Sequence, residues 1–129
     1  LTYLDEYIAS RVEAANTYDS LLNDVDEFIT PHRIINGTHV FHQYTLKVKE
    51  GRDEIQAFLK SNGVPSAIYY PKALHQQSIY QQYAGKKGAF PITESLCNSV
   101  LSLPMHTELN EKMQNYIVDV LKGSFELIS

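Results

Sequence analysis

Apolar residues recur at steps of three and four from the start of the chain. Leu4, Ile8, Val12, Ala15, Tyr18 and Leu22 fall on one stripe, while Asp5, Glu6, Arg11, Glu13, Asn16 and Asp19 take the other faces. The spacing predicts a long amphipathic helix over residues 4–22, closed by the turn formers Asn23 and Asp24. Phe28-Ile29-Thr30 reads as a short extended piece, because Pro31 holds the residue before it out of helical geometry, and Asn36-Gly37 reads as a turn. The period then changes to two. Val40, His42, Tyr44, Leu46 and Val48 alternate with Phe41, Gln43, Thr45 and Lys47, which predicts a strand over residues 40–48 with one buried face. After Glu50-Gly51 a second helix carries Asp53 and Glu54 at its start, Ile55, Phe58 and Leu59 on one stripe, and Lys60 at its end, all matched to the helix dipole. Asn62-Gly63 and Pro65 stop it.

The second half is more broken. Residues 66–70, an apolar and aromatic run closed by Pro71, predict a strand that leads into a loop, and residues 74–83 predict a helical turn or two. Ala84-Gly85-Lys86-Lys87-Gly88 is a basic turn. Phe90-Pro91 opens another helix with Ile92, Leu96 and Val100 on one face and Cys97 beside them as a small core residue. Leu101-Ser102-Leu103 ahead of Pro104 predicts a third short strand. Asn110 is the N-cap of a final helix whose stripe is Met113, Ile117, Val120 and Leu121, ended by Gly123, with residues 124–129 as a tail. This order predicts an α+β fold: a small, mainly antiparallel three-stranded sheet covered by helices.

Composition narrows the function. At 129 residues the chain fits one domain, large enough to bury roughly two thirds of its unfolded surface. A net charge of -4 offers no electrostatic footprint for nucleic acid or an anionic membrane. Cys97 is the lone cysteine, and no apolar run approaches the ~20 residues that cross a bilayer. The chain therefore reads as cytoplasmic. With Leu1 at the front and Leu4 already on the stripe, it also reads as a piece of something longer.

Candidate chemistry concentrates in residues 66–83, where Tyr69, Tyr70, Tyr80 and Tyr83 are interleaved with His75, Gln76, Gln77, Gln81 and Gln82. Tyrosines and amides together can stack on a ring and hydrogen-bond its rim. The same residue types also suit a loop that seals a sheet edge or a subunit contact. His39 and His42, three apart on a predicted strand, point to opposite faces, so no metal site is expected, and His32, His39 and His42 are read as hydrogen-bonding groups. Ser95, Ser99 and Ser102 lack a nucleophile-elbow motif. The residues alone compose no complete active site.

Taken in order, several segments resemble a known domain. They are Leu4-Asp5-x-x-Ile8-x-x-Arg11 with Tyr18 and Leu22, His39-Val40-Phe41-His42-Gln43-Tyr44, Arg52-Asp53-x-Ile55-x-x-Phe58-Leu59 leading to Gly63-Val64-Pro65, Tyr70-Pro71-x-x-Leu74-His75-x-Gln77, and Phe90-Pro91 leading to Leu101-Ser102-Leu103-Pro104-Met105. Almost end to end they resemble the C-terminal small domain of the DegT/DnrJ/StrS-type sugar aminotransferases, fold-type I enzymes that use pyridoxal phosphate to aminate nucleotide-linked keto sugars. Tyr69-Tyr70-Pro71 and Ser102-Leu103-Pro104-Met105-His106 are most similar to enzymes that aminate UDP-2-acetamido-2-deoxy-3-oxo-glucuronate for surface polysaccharide such as lipopolysaccharide.

The resemblance implies a substrate-binding role for Tyr69, Tyr70 and His75, on the substrate side of a site formed where two subunits of a homodimer meet. It implies a UDP-sugar as substrate and glutamate as amino donor. Two positions depart from the pattern: Tyr69 stands where many relatives have histidine, and Ser78 follows Gln77 where relatives have proline. The family's cofactor lysine belongs to a large domain expected to precede Leu1. None of the lysines here, Lys47, Lys49, Lys60, Lys72, Lys86, Lys87, Lys112 and Lys122, sits in that context. No catalytic or cofactor-binding residue is therefore expected in this stretch, and the isolated polypeptide is expected to lack transaminase activity. Two other readings stay open: a free-standing α+β small-molecule-binding or regulatory module, and the small domain of a related sugar dehydratase in which histidine replaces the lysine.

Overall fold

A computed structural model describes residues 2–80, 82 and 88–127. Its elements run α1 (Leu4–Leu21), β1 (Phe28–Ile29), β2 (Tyr44–Val48), α2 (Arg52–Ser61), α3 (Pro91–Ser99), β3 (Val100–Leu103) and α4 (Glu111–Gly123). The strands form one antiparallel sheet in the order β1-β2-β3, with Phe28 opposite Val48 and Tyr44 opposite Leu103. The α+β architecture is the one that the sequence predicts.

Strand membership differs from expectation in three places, one of them Val100, which opens β3 opposite Lys47 and does not lie on the α3 face. Residues 66–70 form no strand; they contribute a single bridge, Ala67 opposite Ser102, closed by backbone bonds of 2.7 and 3.1 Å. Pro65 and Pro71 bracket a run too short to extend the ladder past that bridge, since proline donates nothing to it. β2 starts at Tyr44 and not at Val40. Phe41 adopts φ 46°, a left-handed conformation that costs a non-glycine residue about 1–3 kcal/mol. That turn reverses the parity of the segment. Phe41, 1% exposed, points into the core, while Val40, 48% exposed, faces out. The conformation is held from several sides: His39 Nδ1 accepts the Phe41 N–H at 2.9 Å, and Arg11 donates to the carbonyls of Phe41 and His42 at 3.2 and 3.1 Å. The Arg33 guanidinium lies 4.1 Å from the Phe41 ring centroid.

From Tyr44 onward the alternation holds. Tyr44, Leu46 and Val48 share the core with Leu101 and Leu103 of β3, Ala15 and Tyr18 of α1, Ile55 and Leu59 of α2, and Ile117, Val118 and Leu121 of α4. Gln114, buried on α4, donates to the Ala14 carbonyl at 2.7 Å and ties α4 to α1. Asn110 caps α4 as predicted, accepting the Met113 N–H at 2.9 Å. Gly123 does not end the ordered chain: a 3-10 turn, Ser124–Leu127, follows where a tail is expected, and its Phe125 ring lies 4.9 Å from that of Phe28.

Three predicted helical stripes are only partly buried; in α4 Met113 is exposed, while Gln114 and Val118 join Ile117 and Leu121 on the buried face. In α1 the burial begins around Val12, leaving Leu4 and Tyr7 exposed. In α3 the predicted core face turns outward, with Ile92 76% exposed and Leu96 also exposed, and Cys97 takes the inner position. Arg52 of α2 fixes that orientation by donating to the carbonyls of Cys97 and Val100, each at 3.1 Å.

Candidate functional site

Side chains alternate across a strand, so Thr45 and Ser102 point to the sheet face opposite the core. Their hydroxyls meet at 2.8 Å. Two open grooves lie on this side. One, of about 250 Å³, is lined by His42, Gln43, Ser66, Tyr69, Ser102 and Met105 among others. The other, of about 470 Å³, is lined by Pro31, Thr38, His39, Val40, His42, Gln43 and Thr45. His42 and Gln43 are common to both.

The bridge at Ala67 sets where the tyrosines go. Two residues beyond it, Tyr69 lines the smaller groove, and the Tyr69 and Tyr70 rings make an edge contact with centroids 5.8 Å apart. Tyr70 is 70% exposed. Ser66 Oγ is buried without a hydrogen-bond partner, in a residue that lines the same groove. At the far wall Pro104 and Met105 follow β3, and the Tyr18 hydroxyl anchors the Pro104 carbonyl at 3.0 Å. Core packing therefore fixes one side of the groove.

Below α1 a polar network locks the start of β2. The Tyr44 hydroxyl donates to Asp19 at 2.6 Å, and Arg33 donates to the same carboxylate at 2.6 and 3.0 Å. Burial, then Asp19, pushes the Tyr44 pKa far above its usual value, and burial does the same to Tyr18. Both hydroxyls stay protonated at neutral pH and serve as donors.

His75 is held apart from the tyrosine pair. It lies on a 3-10 turn, Leu74–Gln76, with its Nε2 3.1 Å from Glu94 Oε1 and its ring 4.8 Å from that of Phe90. Glu94 also accepts the Gly88 N–H at 2.9 Å. Of the predicted site residues, then, Tyr69 and Tyr70 touch each other and Tyr69 reaches a groove, whereas His75 is clasped to the first turns of α3. Tyr83, Gln81, Lys86 and Lys87 lie outside the described residues. Sequence reasoning gave no site role to Glu94, nor to Ser66 and Met105, although Ser66 opens the stretch 66–83 and Met105 closes the segment Leu101–Met105. For Glu94 the available signal was an acid near the start of a helix that follows a histidine-bearing loop.

Residues 1–122 match the model of the DegT/DnrJ/EryC1/StrS aminotransferase family. The chain belongs to that family. A protein named pleiotropic regulatory protein, from Geobacillus stearothermophilus, is 40% identical over 91% of this chain and 32% of its own length. The UDP-2-acetamido-2-deoxy-3-oxo-D-glucuronate aminotransferase of Pseudomonas aeruginosa is 36% identical over 85% of this chain and 29% of its own. Among solved structures, a DegT/DnrJ/EryC1/StrS aminotransferase from Brucella abortus superimposes with a TM-score of 0.85 at 36% identity, covering 95% of this chain and 32% of that one. The chain thus spans about a third of the length of the curated relatives it matches.

Aminotransferases of this family depend on pyridoxal phosphate, which needs a lysine amine in a sheltered pocket. Lys47, Lys49, Lys60, Lys72, Lys112 and Lys122 are all exposed, and none lines either groove. The described residues do not fit the cofactor, and no cofactor step runs through them.

Proposed function

We propose that this chain acts as the C-terminal small domain of a pyridoxal phosphate-dependent nucleotide-sugar aminotransferase, where it recognises substrate and contacts a second subunit. The observation that carries this reading is the near end-to-end match to one third of an aminotransferase of solved structure, at a TM-score of 0.85 and 36% identity. In this reading the cofactor lysine lies in a large domain, glutamate is the amino donor, and the assembled enzyme is a cytoplasmic homodimer. The substrate is a UDP-linked acetamido keto sugar for surface polysaccharide, a choice supported by the Pseudomonas relative.

Within the chain, recognition falls to the loop that follows the Ala67 bridge. Tyr69 and Tyr70 offer ring faces to the sugar or base and hydroxyls to its polar rim. Ser66 adds a hydroxyl that has no partner within the protein. His75 contributes one ring nitrogen, the other being engaged by Glu94. Calorimetric titration with the UDP-sugar tests this: Tyr69→Ala and Tyr70→Ala are each expected to weaken binding about tenfold, the usual effect of removing a stacking ring. Equal affinity for the native chain and both variants would contradict it.

A second reading is a regulatory or ligand-sensing module, favoured by the name of the Geobacillus relative. It predicts that a ligand unrelated to nucleotide sugars occupies the groove, and that UDP-sugars leave the tyrosines untouched.

A further inference from the structure

Glu94 joins groups from two separate points of the chain to the start of α3. Its Oε1 lies 3.1 Å from His75 Nε2 and 2.9 Å from the Gly88 nitrogen, and its Oε2 lies 3.2 Å from that nitrogen. Both partners of the His75–Glu94 pair are largely covered, their side chains 13% and 16% exposed. The Phe90 ring packs beside the imidazole, so the plane of His75 is set as well as its position.

The Gly88 N–H above all, with the His75 ring and the Phe90 N–H, holds the Glu94 carboxyl below the ordinary range, against an opposing effect of burial. An ionised carboxylate can only accept hydrogen bonds. The nitrogen facing it must therefore carry a proton, in the neutral ring as in the charged one. In the neutral ring that leaves Nδ1 as a lone-pair acceptor.

We propose that Glu94 is a positioning residue that fixes His75 as the Nε2–H tautomer, so that neutral His75 presents an acceptor at Nδ1. The matching ligand group is a donor, a sugar hydroxyl or an acetamido N–H. A phosphate oxygen, itself an acceptor, does not match. This inference deepens the reading of the loop as a sugar-binding wall and rests on it for the identity of the ligand. It also narrows the role expected of His75: donation to a sugar or diphosphate oxygen from the free nitrogen belongs to the imidazolium alone.

The test is imidazole NMR on the chain without ligand, followed as pH is raised until the spectrum itself shows the neutral ring. Long-range nitrogen–proton correlations of His75 are expected to show the proton on Nε2, protected from exchange with water. Glu94→Gln relaxes the preference, because its amide can accept from Nε2–H or donate to a bare Nε2, so the Nδ1–H tautomer becomes populated. Glu94→Ala loses the protection and exchanges the Gly88 amide about tenfold faster, as removal of one charge-assisted hydrogen bond requires. A proton on Nδ1 in the native chain overturns the proposal, as does an Nε2 proton equally protected in Glu94→Ala. Should Glu94→Ala fail to fold, the native chain and Glu94→Gln decide the matter. Because no ligand is present, this outcome is independent of whether the loop binds a nucleotide sugar.

Discussion

Ser66 illustrates how one atom separates a structural role from a binding role. A buried hydroxyl without a partner loses its bonds to water and gains nothing in return. Ser66→Ala is therefore expected to raise stability by about 1 kcal/mol, read as a higher denaturation midpoint, while weakening any ligand that the groove takes. Destabilisation would mean that the hydroxyl has a partner in solution. Asp19 is the opposite case, since it satisfies the buried Tyr44 hydroxyl and Arg33 together. Asp19→Ala leaves that hydroxyl unpaired and is expected to cost about 2–3 kcal/mol in chemical denaturation. Glu94 adds a pH dependence. Its folded pKa lies below the ordinary 4.5, so its contribution is complete above the unfolded value and disappears as pH falls through the folded one. The side-chain carbon signal of Glu94 should titrate with a midpoint below 4.5; a midpoint at or above it would refute the clasp. Tyr69 and Tyr70 were legible in the sequence as candidates only, because residue type alone marks an amphipathic ring beside a proline. Glu94 was not, because its partner His75 is 19 positions away and only the folded loop brings them together.

At the level of elements, the sequence was most informative where one period ran uninterrupted. The α2 stripe, the Asn110 cap and the Tyr44-Leu46-Val48 face are as predicted, each being a local rule satisfied locally. The failures have a common origin in contacts distant along the chain. Alternation through Phe41 suggested four more residues of strand, yet Arg11, Arg33 and His39 stabilise a left-handed turn that no local pattern announces. The outward Ile92 and Leu96 follow from the grip of Arg52 on the end of α3. One pair of variants tests the parity directly. Phe41→Ala is expected to cost about 3–5 kcal/mol as a core truncation, and Val40→Ala within about 0.5 kcal/mol as a surface one. The reverse ranking would restore the uninterrupted strand.

At the scale of the whole molecule, the sheet divides the work between its faces. The face bearing Tyr44, Leu46, Leu101 and Leu103 builds the core with α1, α2 and α4. The other carries the Thr45–Ser102 pair, the Ala67 bridge and the grooves beside Tyr69. In the proposed reading, stability and recognition depend on largely separate residues, since Tyr69 and Tyr70 are exposed and lie outside the core. The most direct measurement is an NMR titration of the chain with a UDP-linked acetamido-sugar uronic acid, with UDP alone as the comparison. Shifts confined to Ser66, Tyr69, Tyr70, His75 and Met105, larger for the sugar than for UDP, are what substrate recognition by this loop and groove predicts. Shifts confined to other surfaces, or none at millimolar ligand, would contradict it.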